Sequence, residues 1–238
     1  MGILDRLRRK VYASAPPALK PALRTVGMRA GLRPRNTLRP PVDAAREDRL
    51  RLRLHDDPND EQAFDELAEI VRRRAAEGHI PEGRLGQPVP PADPDRAAND
   101  AVWALAEEMA GNPRAWHPLT ELARLSIRDD REGALRRLGT AAERDPSGRA
   151  LVEGLAMLRE AGLPDEALGL GVGHWRPREH DVEAGRHLVQ AAVEAGRMGE
   201  ARRHLDALGL HPDQGRVAPL RAELEREINL AERKRTTT

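Results

Sequence analysis

The chain has 238 residues, enough for one elongated domain or two small ones, and it contains no cysteine. The absence of cysteine excludes a disulfide framework, a thiolate nucleophile and a cysteine-based metal site. Aromatic residues make up 2% of the chain, so the side chains that favour sheets are scarce. The common apolar residues are Ala and Leu, which are strong helix formers, and the composition therefore predicts an all-α protein.

Charge is unevenly distributed, although the formal net charge is only +1. Residues 1–40 contain ten basic residues and a single acid, Asp5, and the rest of the chain is net acidic. No apolar run approaches the length needed to cross a bilayer, and the first residues lack the apolar stretch of a secretory signal. We therefore expect a soluble, cytoplasmic protein, and the abundance of Ala, Arg, Gly and Pro suggests a GC-rich bacterial genome.

Residues 1–41 are predicted to form a basic, Pro-rich N-terminal arm. Ile3, Leu4, Leu7 and Val11 share one face of a short amphipathic helix. The prolines that follow interrupt any helix.

Three roles are open for this arm. It could dock as a helix on the acidic body or in a partner's groove. It could lie on an anionic membrane surface, although so short a helix would bind weakly. Contact with nucleic acid is less favoured, because aromatic residues for base stacking are not interleaved with the basic ones.

The amphipathic pattern changes at Val42, where a helical body is predicted to begin. Leucines alternate with arginines from Leu50 to Leu54, but the charged flanks favour a helix over a strand. The next segment is a strong helix that carries Phe64 and Leu67 on its apolar stripe and ends at Gly78. Five prolines over residues 79–94 predict a long loop.

Eight further helices are predicted after this Pro-rich insert. Their connections are short, which places consecutive helices antiparallel to each other. The predicted ranges are 95–111, 115–128, 131–144, 148–161, 164–175, 181–195, 198–208 and 213–234.

Small residues recur at a fixed spacing in these helices. The second helix of each pair carries an alanine, and the alanines are separated by 33, 33 and 34 residues. A leucine or a glycine lies one turn after each alanine. The first helix of each pair carries a leucine at a corresponding position. The alanines are Ala101, Ala134, Ala167 and Ala201; the residues one turn later are Leu105, Leu138, Gly171 and Leu205; the first-helix leucines are Leu67, Leu122, Leu155 and Leu188.

A helix–turn–helix period of about 34 residues resembles the tetratricopeptide repeat family. The best local matches are residues 58–71, 132–146 and 199–212. The repeats are degenerate, since the family's first-helix aromatic position holds Leu119 or Val152, and another α-solenoid family stays open. The resemblance implies stacked antiparallel helical hairpins over residues 42–238.

The resemblance also implies function, because such proteins bind partners on a concave face built from first helices. We expect a non-catalytic scaffold or adaptor that binds a protein or peptide, with no cofactor. His117 and Glu153 lie on the same predicted face, which lacks the Lys and Asn set that clamps a C-terminal carboxylate in some family members. The candidate partner-binding residues are Arg72, Arg73, Thr120, Arg124, Arg128, Arg186 and Gln190.

Two other classes of function remain as alternatives. The chain could be a membrane-surface or nucleic-acid-associated regulator tethered through residues 1–40, or an enzyme with an unrecognised helical site. Neither GxSxG nor HExxH occurs, so no catalytic residue or metal site is predicted. A weak metal candidate would combine His174, His180 and Glu183.

The glycine-rich segment GLGVG at 169–173 resembles a phosphate-binding loop only superficially. It lacks the preceding strand and the glycine spacing of a dinucleotide-binding turn. The glycines instead predict a loosened helix or an irregular turn, with Trp175 filling the space left by the missing side chains.

Overall fold

A computed structural model describes residues 42–77 and 93–236. The predicted N-terminal arm and nearly all of the Pro-rich insert lie outside these ranges. The described residues form ten α helices and no strand, which confirms the all-α prediction. The helices are α1 (Val42–Asp56), α2 (Glu61–Glu77), α3 (Pro94–Ala110), α4 (His117–Ser126), α5 (Arg131–Arg144), α6 (Arg149–Glu160), α7 (Pro164–His174), α8 (Val182–Glu194), α9 (Met198–Leu208) and α10 (Gln214–Thr236).

Local side-chain chemistry sets many of these helix ends. Asp93 accepts a hydrogen bond from the Arg96 amide at 3.0 Å, and Asp130 accepts one from the Gly133 amide at 2.8 Å. Gly196 has a φ of 73°, which lets the chain turn left-handed after α8 and direct the Arg197 amide to the Ala192 carbonyl at 2.8 Å. The helix that holds Leu50 and Leu54 is α1, so the strand alternative is wrong.

The helices pack as consecutive pairs, and alternate helices also touch. The pairs α2–α3, α4–α5, α6–α7 and α8–α9 are in contact. So are α4 with α6, α6 with α8, and α8 with α10. No helix in the described ranges combines the length and the apolar character needed to cross a bilayer.

The recurring apolar positions form the core of the packed helices. Leu67, Leu155 and Leu188 have no exposed surface, and Leu122 is 4% exposed. Three of the four periodic alanines are fully buried as well, while Ala101 is half-buried. The spacing seen in the sequence therefore marks residues that contact neighbouring helices.

The glycine-rich segment at 169–173 is regular helix inside α7, so the expectation of a loosened helix is wrong. Gly171 is needed for close packing, because a Cβ atom there would lie 2.4 Å from Leu188 Cδ1 on α8. Leu188 fills this space and Trp175 does not. Trp175 packs instead on Gly185, where a Cβ atom would lie 2.8 Å from the indole ring.

Two glycine substitutions in α7 separate packing from helix propensity. Gly171→Ala should lower the free energy of unfolding by about 1–3 kcal/mol, because the new methyl overlaps Leu188. Gly169→Ala should raise it by about 0.5–1 kcal/mol, because the position faces open space and alanine favours the helix. Urea denaturation of the two variants measures both effects, and equal shifts of the same sign would contradict the close approach of α7 to α8.

Candidate functional site

Asn59 ties the start of α4 to the turn before α2. Its side-chain oxygen accepts hydrogen bonds from the amides of Trp116 at 2.7 Å and His117 at 3.1 Å, and its amide group donates to the Arg114 carbonyl at 2.9 Å. Trp116 has no capping side-chain oxygen of its own, so Asn59 supplies the cap from 57 residues away. The first residues of α2 and α4 are thereby held together.

The start of α6 is fixed by Asp145, which is buried. Its carboxylate accepts hydrogen bonds from the Ala150 amide at 2.8 Å and from the Ser147 hydroxyl at 2.7 Å. The turn passes through Gly148, whose φ of 81° is strained for other residues. Glu153 follows in the second turn of α6, on the side that contacts α4.

His117 is the most unusual side chain at this junction. It is 6% exposed and lies edge-on to the rings of Phe64 and Trp116, with ring centroids 5.2 and 5.7 Å away. Neither ring nitrogen has a hydrogen-bond partner within the described ranges. Burial lowers the pKa of His117, so the imidazole is neutral near pH 7 and one of its nitrogens is an unused acceptor.

Two carboxylates face this imidazole. One ligand atom each of Glu61, His117 and Glu153 lies within 4.8 Å of the other two. The Thr120 hydroxyl is 2.7 Å from the His117 carbonyl and 3.2 Å from Glu153 Oε2. Because the hydroxyl has only one proton to donate, Thr120 donates its hydrogen bond mainly to the closer His117 carbonyl. Burial, followed by repulsion from Glu61, raises the pKa of Glu153.

The charges around the cluster are predominantly negative. Arg149 pairs with Glu61 and stacks over the Trp116 ring, with its guanidinium carbon 5.5 Å from the centroid. Asp65, Glu121 and Arg124 also act on His117 electrostatically. Four carboxylates therefore surround the imidazole against two guanidinium groups. The arrangement can accept a cation. In the described part of the chain, Glu61, His117 and Glu153 are the three side chains whose ligand atoms converge closely enough to hold a metal ion.

The predicted partner-binding residues fall into two groups. Arg72 and Arg73 are exposed on α2, Arg124 is exposed on α4, and Arg128 is exposed in the turn that follows α4. The other three, Thr120, Arg186 and Gln190, are covered to different degrees.

Thr120 has no exposed surface and contacts Glu153, so a partner could not reach it without rearrangement. Arg186 and Gln190 are half-buried and contact Glu223 and Glu227 of α10.

Sequence reasoning missed Glu61, Arg149 and Asn59 as parts of a site. Glu61 is the first residue of α2, where an acid is ordinarily explained by the helix dipole. One signal was present: Thr120 and Glu153 are 33 residues apart, which is the spacing of the periodic alanines, and they touch.

The weak metal candidate formed by His174, His180 and Glu183 does not converge among the described residues. His180 is buried against Gly148, where a Cβ atom would lie 2.6 Å from the imidazole, and its Nδ1 is 3.4 Å from the Arg176 amide. Glu183 pairs with Arg186 instead, at 3.0 Å. These residues serve packing and helix-surface pairing.

His187 belongs to a second polar network, between α6 and α8. Its Nδ1 is 2.7 Å from an Arg159 nitrogen, and Arg159 also binds Glu194 at 2.6 Å. Burial, assisted by the positive charges of Arg159 and Arg186, lowers the pKa of His187 to about 4. This imidazole is therefore a neutral acceptor that helps to join the two helices.

Comparisons with known proteins return no relative: no family model, no curated protein and no solved structure matches the chain.

Loss of the Asn59 cap should destabilise the protein. Asn59→Ala leaves the Trp116 and His117 amides without their acceptor, which should lower the free energy of unfolding by about 1–2 kcal/mol in urea denaturation. Asn99→Ala, at an exposed position of α3, is the control and should be neutral or slightly stabilising. Equal effects of the two substitutions would show that Asn59 does not hold α4 in place.

The lowered pKa of His187 predicts acid destabilisation. Between the folded pKa of about 4 and the ordinary value of 6.5, the unfolded chain binds more protons than the folded one. The free energy of unfolding should therefore fall as the pH decreases from 6.5 to 4. His187→Gln keeps an acceptor for Arg159 but does not titrate, so urea denaturation across this range should show a smaller pH slope for the variant. Identical slopes would contradict a neutral buried His187.

Proposed function

We propose that the chain is a non-catalytic scaffold built from stacked, tetratricopeptide-like helical hairpins. A protein or peptide partner binds on the first-helix face, which we define as the surface shared by α2, α4, α6 and α8. The second helices α3, α5, α7 and α9 support this face from behind.

Periodic contacts between alternate helices support the stacked arrangement. Side-chain pairs join alternate helices from α4 to α10 at separations close to the period of about 34 residues. They are Thr120 with Glu153, Arg159 with Glu194, and Gln190 with Glu227, at 33, 35 and 37 residues. Contacts between alternate helices at similar separations are what a helical repeat array produces, and such arrays present extended binding surfaces.

The observation that carries the binding proposal is the exposed arginine set beside an acidic cluster on one face. Arg72, Arg124 and Arg128 are exposed, and the carboxylates around His117 lie next to Arg124. Adjacent patches of opposite charge discriminate between partners by electrostatic complementarity. The preferred partner is therefore a segment with acidic residues that meet the arginines and a basic residue that meets the cluster.

Charge reversal on the first-helix face should abolish partner capture. A variant with Arg72→Glu, Arg124→Glu and Arg128→Glu should lose the partner that the wild-type chain captures from its native cell, because acidic groups would then face the new carboxylates. Quantitative mass spectrometry after affinity capture measures the loss, which we expect to be about tenfold or more.

The matched control reverses three exposed arginines of second helices, Arg96, Arg136 and Arg203. Its net charge equals that of the first variant, and it should retain the partner. Capture that is lost equally in both variants, or retained equally in both, would contradict the assignment of binding to the first-helix face.

A further inference from the structure

We propose that Glu61, His117 and Glu153 bind one first-row divalent metal ion, with zinc as the preferred ion. This site goes beyond the scaffold function: the exposed arginines bind a partner without a metal, and a bound ion would occupy the place at the acidic cluster that a partner's basic residue otherwise takes. The proposal rests on the convergence of three ligand-type side chains from α2, α4 and α6 around a buried imidazole.

His117 is buried, and its hydrogen-bonding capacity is unused. A buried polar group is normally hydrogen-bonded, and an unsatisfied one costs about 1–3 kcal/mol. His117 is 6% exposed, and neither of its ring nitrogens has a partner in the part of the chain that the structure describes. A bound metal ion would use the free lone pair of the neutral imidazole, which is the form that ligates metals.

The spacing of the three side chains suits a metal after small side-chain movements. Their ligand atoms lie within 4.8 Å of one another. Zinc bonds of about 2.0–2.2 Å in tetrahedral geometry place ligand atoms roughly 3.3–3.6 Å apart. Side-chain rotations that move each carboxylate by about an ångström would close this difference. Both carboxylates are only partly buried, which leaves them room to move.

Charge favours a divalent ion at this position. Glu61 and Glu153 would neutralise it directly, and the surrounding acids Asp65 and Glu121 offset the nearby guanidinium groups. Arg149 offsets part of the charge of Glu61, and a divalent ion would offset the repulsion that remains between the two facing carboxylates.

The donor set selects the class of metal. Magnesium and calcium prefer sites made only of oxygen ligands, whereas zinc accepts imidazole nitrogen together with carboxylate oxygen. Arg149 on Glu61 and Thr120 near Glu153 would orient the carboxylates, as outer-shell partners do in metal sites. Three protein ligands leave a fourth position for water.

Binding would also link three parts of the chain, since the ligands come from three different helices. An ion that binds only the folded state stabilises it by mass action. Zinc should therefore raise the melting temperature of the protein, and the increase should require all three ligands.

The test uses the untagged full-length chain, stripped of metal with a chelator and dialysed. Isothermal titration with zinc chloride should show one zinc ion per chain, and magnesium chloride should bind at least about tenfold more weakly. His117→Gln and Glu153→Gln should each reduce zinc affinity by about tenfold or more. Thermal melts should show zinc stabilisation in the wild type and its loss in both variants.

His204→Gln is the matched control, because His204 is a half-buried imidazole that also lies edge-on to a tryptophan, with its ring 6.1 Å from Trp175. It should bind zinc as the wild type does. Glu153→Gln is nearly isosteric, so it decides the question independently if His117→Gln disturbs folding in circular dichroism.

Three outcomes would overturn the proposal: no zinc binding by the wild type, unchanged affinity in Glu153→Gln, or equal loss in His204→Gln. Because the titration uses the isolated chain, its failure leaves the result of partner capture unaffected.

Discussion

The structure depends on one constraint: an amphipathic helix must bury its apolar stripe against other helices. Each stripe here meets neighbouring helices, and the fully buried leucines Leu67, Leu155 and Leu188 mark these contacts. The same packing brings α4 against α6 and α6 against α8. The junction of α2, α4 and α6 is a direct consequence, because Asn59 and Asp145 then fix where two of those helices begin.

Because one third of the residues of the chain are charged, close packing of the helices creates polar contacts between neighbouring helices. Between α6 and α8 the contacts are complementary, since Arg159 joins His187 and Glu194. Between α8 and α10, Asp181 receives two hydrogen bonds from Arg216. The junction at His117 differs, because the imidazole has no partner in the described residues and two carboxylates face it. A buried imidazole with both ring nitrogens unpartnered beside two carboxylates is the physical reason to assign a ligand there.

Much of the fold could be predicted from the sequence, because strong helical periodicity and short Pro- or Gly-containing connections set helix bounds locally. The predicted helices at 131–144 and 198–208 coincide with α5 and α9. The glycines of α7 were misjudged, since glycine weakens an isolated helix but here permits contact with Leu188. That gain depends on a second helix, which local propensity does not describe.

The candidate site was only partly predictable for a related reason. His117 and Glu153 lie on the face that the repeat register assigned to partner binding, but Glu61 is separated from them by the Pro-rich insert. The proximity of Glu61 to His117 depends on Asn59, a long-range contact with no periodic signal. The burial of His117 between Phe64 and Trp116 likewise arises only when α2 and α4 are packed together.

A crystal structure of the full chain grown with zinc, with diffraction recorded above and below the zinc absorption edge, tests the proposed site most directly. We expect one anomalous peak at the junction of α2, α4 and α6, about 2.0–2.2 Å from a His117 ring nitrogen and from oxygens of Glu61 and Glu153. A His117 ring turned away from both carboxylates, with no anomalous peak between them, would contradict it.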